Sequence, residues 1–173
     1  GGMGISYNND KKTLNLNKYC NSVEKFLKKN KSKIILEPGR SIIGDTGILI
    51  SKVIYNKEGY KRNFIILDAA MNDLMRPALY SAKHQIKAVI KNNRYANKVY
   101  EFVGPICEST DKFGSYKKFQ KLRENDLIII CDVGAYGVSL SSNYNLRPKP
   151  AEILIEKSKV SVITKRQKLI EII

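Results

Sequence analysis

Near Arg40 the hydrophobic period of the chain changes, and with it the range of folds open to it. Downstream run short β-rich segments, Ile48–Tyr55, Phe64–Leu67, Val99–Val103, Leu127–Cys131, Ile153–Ile155 and Val160–Ile163, each bounded by turn residues. Such spacing predicts an antiparallel sandwich or barrel. The last two segments flank Glu156-Lys157-Ser158-Lys159 and predict a hairpin. One interruption, Leu74–Ile90, has helical spacing in part and holds Arg76-Pro77-Ala78-Leu79-Tyr80.

Upstream the period is helical. From Asn15, a plausible N-cap, Leu16, Tyr19, Cys20, Val23, Phe26 and Leu27 share one face of an amphipathic helix. The run Ile34-Ile35-Leu36, ended by Glu37-Pro38-Gly39, suits a buried parallel strand. With the opening loop Gly1-Gly2-Met3-Gly4-Ile5, these residues make one β/α unit, and a domain boundary is expected near residues 40 to 46.

The chain has 173 residues, 43% of them hydrophobic, enough for one sizeable core or a core plus a fragment of a second. No run of about 18 uninterrupted apolar residues and no opening signal segment appears, so a cytoplasmic setting without membrane insertion is the default expectation. Cys20, Cys107 and Cys131 form no CxxC pair, and His84 is the single histidine, so no metal site is expected. The net charge of +15 could suit a phosphate backbone. It also follows from a general richness in Lys, Ile and Asn, and no nucleic-acid partner is expected.

Four segments place reactive side chains among turn residues. Glu37-Pro38-Gly39-Arg40 sets a guanidinium and free N–H groups after an expected strand, which suits phosphate or carboxylate, though a simple turn with an exposed arginine would look the same. Arg76 and Tyr80, four residues apart, share a helical face and could grip one carboxylate, or be a surface arginine beside a packed tyrosine. Gly104-Pro105-Ile106-Cys107-Glu108-Ser109 sets a thiol beside a carboxylate, although lone cysteines are usually small core residues. Asp132-Val133-Gly134-Ala135-Tyr136-Gly137 allows close backbone approach to a ligand, or is a tight turn with a core tyrosine.

Taken in order, GGMGISY, ILEPGRSI, LDAAMNDLMRPALY, FVGPICEST and CDVGAYGVSLSSNYNLRPKPAEILI resemble the diaminopimelate decarboxylase family over essentially the whole chain. Ornithine and arginine decarboxylases share the fold type. The Cys-Glu-Ser and Arg-Pro-Ala-Leu-Tyr segments look like the diaminopimelate type.

The resemblance implies a fold of two parts: residues 1–45 as a fragment of a (β/α)8 barrel, then residues 46–173 as an antiparallel all-β domain of Greek-key barrel or sandwich type, α+β overall. It implies pyridoxal 5'-phosphate as cofactor and decarboxylation of meso-diaminopimelate to L-lysine. Gly2, Glu37, Pro38, Gly39 and Arg40 would hold the cofactor phosphate, and Tyr136 would contact cofactor and substrate. Arg40, Arg76 and Tyr80 would bind substrate carboxylate, Glu108 the distal ammonium group, and Cys107 would donate a proton across a two-fold homodimer interface.

None of the Lys residues sits in the family's Schiff-base context, and the histidine that stacks on the cofactor ring is absent. The chain is therefore expected to be the C-terminal portion, inactive without the N-terminal barrel half. A stand-alone β-rich binding module, or a decarboxylase for another basic amino acid, remain alternatives.

Overall fold

A computed structural model describes residues 1–7, 14–60 and 62–173. Helix α1 spans Leu16–Asn30, and the Asn15 side chain caps it by accepting from the Lys18 N–H at 3.0 Å. It ends where Lys31 turns left-handed, with its N–H on the Leu27 carbonyl. The helix and its cap agree with the expected pattern, yet none of its residues is buried. On the apolar face Leu16, Cys20 and Phe26 are exposed, while Tyr19, Val23 and Leu27 are half-buried.

Ile34-Ile35-Leu36 does not form the expected strand, and Ile35 is 89% exposed. A strand persists only where a neighbour satisfies its backbone groups, and no described strand pairs with this segment. The chain instead turns at Gly39 into a short helix α2, Arg40–Ile43, followed by a 3-10 turn at Gly44–Thr46.

Six strands, β1 (Leu49–Glu58), β2 (Asn63–Leu67), β3 (Ile86–Ala88), β4 (Val99–Val103), β5 (Lys112–Lys117) and β6 (Leu127–Ile130), form one sheet in the order β3-β6-β1-β2-β4-β5. It is mixed rather than antiparallel, because β4 runs parallel to β2. The reason lies in the long return through residues 68–98, which holds helix α3 (Arg76–Tyr80) and β3; a parallel neighbour needs a crossover of about a dozen residues or more. Only α3 survives as helix from the expected helical stretch of Leu74–Ile90.

The inward faces carry Val53, Ile65, Leu67, Phe102, Ile128 and Ile130, all nearly sealed from solvent. Phe102, Tyr116 and Phe119 meet edge to face at 4.9–5.6 Å between ring centroids. The sheet curls until its end strands approach each other. There the Tyr116 hydroxyl donates to the His84 carbonyl at 2.8 Å and accepts from the Ile86 N–H at 3.0 Å, so a side chain joins β5 to β3 where no ladder does.

The C-terminal hairpin forms as expected, β7 (Glu152–Glu156) with β8 (Lys159–Thr164), as a separate two-stranded sheet. No described helix is long and apolar enough to cross a membrane.

Candidate functional site

Two loops dock on each other to build the site. The Val133 and Gly134 N–H groups donate to the Gly47 and Gly44 carbonyls at 3.0 and 3.1 Å, fastening the turn after β6 to the segment after α2. The approach demands glycine: a Cβ on Gly134 would overlap the Ile43 carbonyl, and one on Gly47 would lie 2.6 Å from the Gly134 nitrogen. This contact brings the Arg40 guanidinium to 5.4 Å from the Tyr136 ring.

The second guanidinium is that of Arg76, the first residue of α3, with Pro77 following where a helix tolerates it. Arg76 is only 5% exposed. Its Nη1 donates to the Tyr7 hydroxyl at 2.7 Å and contacts His84 Nε2 at 3.1 Å, and its Cζ lies 4.9 Å from the Tyr7 ring and 5.9 Å from the Tyr136 ring. The Tyr136 ring therefore lies within about 6 Å of two guanidinium groups, a favourable setting for an aromatic face.

Tyr7, Arg40, Arg76, Tyr80, Lys83 and Tyr136 line a cleft of about 540 Å³. It has three cationic side chains and no carboxylate in its lining. A cleft of that charge suits an anion, with forked guanidinium donors matched to carboxylate or phosphate.

His84 lies behind Arg76 and is 1% exposed. Its Nδ1 is 2.9 Å from the Cys131 carbonyl, which can only accept, so the proton sits on Nδ1 and Nε2 is left bare toward Arg76. Burial holds its pKa below the ordinary histidine value, with the Arg76 charge adding to the effect and the Cys131 carbonyl and Asp132 opposing it.

The loop that leads into α3 is held from below. Buried Asn72 donates to the Ser142 carbonyl at 3.3 Å and to Asp73 Oδ1 at 3.1 Å, and Arg147 returns a bond from Nε to Asn72 Oδ1 at 2.9 Å. Asp73, 3.7 Å from Arg147, has its carboxyl pKa raised, chiefly by burial.

Arg40, Arg76, Tyr80 and Tyr136 thus share one cleft, while Cys107 and Glu108 are not part of its lining. These two are exposed on the β4–β5 connection. Asp111 shapes that connection: its carboxylate accepts from the Ile106 N–H at 2.9 Å and the Met71 N–H at 2.7 Å. Gly104 lies against the same carboxylate so closely that a Cβ would overlap it.

Glu37, Pro38 and Gly39 also lie outside the cleft lining, next to the glycine-rich opening, where a Cβ on Gly1 would sit 3.6 Å from the Glu37 carbonyl. The backbone at Gly2, Gly4 and Gly39 is open, with nothing within 4 Å of where a side chain would begin.

Neither Tyr7 nor His84 stands in a sequence motif that marks it as a site residue. Tyr7 follows the glycine loop, and the lone histidine carried weight only as an argument against a metal site. Among the described residues no group of three or more His, Cys, Asp or Glu could hold a metal ion.

Residues 10–134 match the family model described as pyridoxal-dependent decarboxylase, C-terminal sheet domain. The diaminopimelate decarboxylase of Neisseria meningitidis serogroup A is 44% identical over 169 residues, covering 98% of this chain and 41% of the relative. The crystal structure of the Helicobacter pylori diaminopimelate decarboxylase complexed with L-lysine superposes with a TM-score of 0.88 at 41% identity, over 99% of this chain and 42% of that one. A structure from Aquifex aeolicus gives a TM-score of 0.91 at 39% identity, with the same coverage. The chain spans about two fifths of the length of these relatives.

Proposed function

Because this chain belongs to the pyridoxal-dependent decarboxylases, through their C-terminal sheet domain, we propose that it is the C-terminal part of a diaminopimelate decarboxylase. In this reading the assembled enzyme releases carbon dioxide from meso-2,6-diaminopimelate and forms L-lysine. The observation that carries it is the gathering of Arg40 and Arg76 at the Tyr136 ring in a cleft whose lining has no carboxylate.

The residues present fit pyridoxal 5'-phosphate. Gly2 and the turn Glu37-Pro38-Gly39-Arg40 offer open backbone beside a guanidinium, the setting for a phosphate, and Tyr136 offers an aromatic face. The chemistry supplied by pyridoxal phosphate when bound is that of an electron sink for the bond broken as carbon dioxide leaves.

This chain's own residues bind and orient. Arg40, Arg76 and Tyr80 hold a substrate carboxylate with forked donors and a hydroxyl. Glu108 accepts the distal ammonium group and Cys107 donates a proton near the reacting carbon. Both stand on a connection pinned by Asp111 and outside the cleft lining, which supports a homodimer in which each copy lends Cys107 and Glu108 to the other's cleft.

Residues 1–45 we read as the end of a β/α barrel and residues 46–173 as the β-rich domain. Exposed Leu16 and Phe26 on α1 and exposed Ile34, Ile35 and Leu36 support a covering N-terminal barrel half. The setting is cytoplasmic.

The test combines this chain with the N-terminal portion of a relative in the presence of pyridoxal phosphate. Cofactor absorbance and lysine formation are expected from the pair, and no decarboxylation from the 173-residue chain by itself. A pair that binds cofactor but prefers ornithine or arginine would move the substrate assignment to another basic amino acid. Activity from this chain alone would overturn the division of labour.

A further inference from the structure

We infer that His84 is a positioning residue that holds the Arg76 guanidinium at the cleft through an unprotonated Nε2, an inference that rests on the proposed carboxylate-binding role of Arg76. The geometry fixes the ring from both sides. Nδ1 is committed to the Cys131 carbonyl at 2.9 Å, leaving Nε2 to accept from Arg76 Nη1 at 3.1 Å. Tyr7 meets the ring edge-on at 5.3 Å, and the Tyr116 hydroxyl donates to the carbonyl of His84 itself.

Neutrality is what makes this partner useful. A buried arginine needs acceptors for its N–H groups, and an aspartate or glutamate would supply them while cancelling the charge. Among the described residues no carboxylate pairs with Arg76; its Nη1 acceptors are the uncharged Tyr7 hydroxyl and the imidazole. The guanidinium is therefore held in place with its positive charge available to an incoming anion.

The titratable and charged groups facing the ring are Arg76, Tyr7, Tyr116, Cys131 and Asp132. Protonation of Nε2 would remove the acceptor and set a second cation against Arg76.

His84 is the single histidine of the chain, so its ring nitrogens can be read by NMR without ambiguity. At pH 7 the ring is expected to be neutral and protonated on Nδ1, and R76M should shift the Nε2 resonance. A ring protonated on Nε2, or charged at that pH, overturns the inference.

A second measurement uses the chain assembled with the barrel half. H84N keeps a donor for the Cys131 carbonyl and loses the acceptor for Arg76, whereas H84Q keeps the acceptor. H84N is expected to raise KM for meso-diaminopimelate about tenfold, the loss typical of one hydrogen bond to a charged group, with a smaller change in kcat, while H84Q stays near wild type. Equal KM values for H84N and H84Q overturn the positioning role if R76M still raises KM. An unchanged KM in R76M overturns the carboxylate-binding reading, and this inference with it.

Discussion

The Arg147 guanidinium donates to the amide oxygen of buried Asn72 at 2.9 Å, joining the segment before the C-terminal hairpin to the loop that launches α3. The two residues are 75 positions apart, and Asn72 lies just before the helix that carries Arg76. Asn72 has no solvent exposure and also bonds Asp73 and Ser142.

Asn72→Ala should therefore leave Arg147 and the Ser142 carbonyl short of partners. A loss of about 2–3 kcal/mol is expected, from stranded buried polar groups. Chemical denaturation monitored by circular dichroism measures it; a change below about 0.5 kcal/mol, the range of neutral surface changes, would mean that the network is dispensable.

Gly134→Ala would press a methyl group into the Ile43 carbonyl. The docking of the two loops must yield, at about 1–3 kcal/mol for an overpacked contact. Arg40 should move off Tyr136, so the midpoint of thermal unfolding falls and the affinity of the assembled enzyme for pyridoxal phosphate weakens. Wild-type affinity in this variant would detach Arg40 and Tyr136 from the cofactor.

Tyr116→Phe removes the hydroxyl that bridges His84 and Ile86. With the Ile86 N–H unpaired, about 1–2 kcal/mol should be lost. Hydrogen exchange at Ile86 should accelerate while amides of β1 and β2 stay protected, since only the closure between β3 and β5 depends on this side chain. Uniform acceleration across the sheet would contradict a local closure.

Burial places the His84 pKa below its unfolded value. Between those two values the unfolded chain binds the extra proton, so the contribution of neutral His84 is complete above about pH 6.5, the free histidine value, and declines as pH falls through the folded pKa. The difference in stability between wild type and His84→Gln should shrink across that acidic window. A difference independent of pH between 7 and about 5 would show that His84 titrates as it does in the unfolded chain.

Helix α1 with its Asn15 cap, the hairpin of β7 and β8, and the placement of most strands follow from local pattern, because capping groups, hydrophobic period and turn residues act over a few neighbours. The β5 segment Lys112–Lys117 carries no clear strand pattern, because glycine, serine and lysine dilute its apolar signal to Phe113 and Tyr116. The run Ile34-Ile35-Leu36 shows the reverse: its composition favours a buried strand, but a strand exists only with a partner, and the described residues supply none.

For the site, sequence by itself determined the family and pointed to Arg40, Arg76, Tyr80 and Tyr136, since each stands in a motif with chemistry of its own. Only the tertiary structure decided that β4 runs parallel to β2, that these four side chains share a cleft, and that Cys107 and Glu108 lie outside its lining. It also decided that the Tyr7 hydroxyl and His84 Nε2 meet the Arg76 guanidinium. Hydrogen bonds between residues tens of positions apart depend on how the sheet curls and how Gly47 meets Gly134, and no local pattern records such long-range closure.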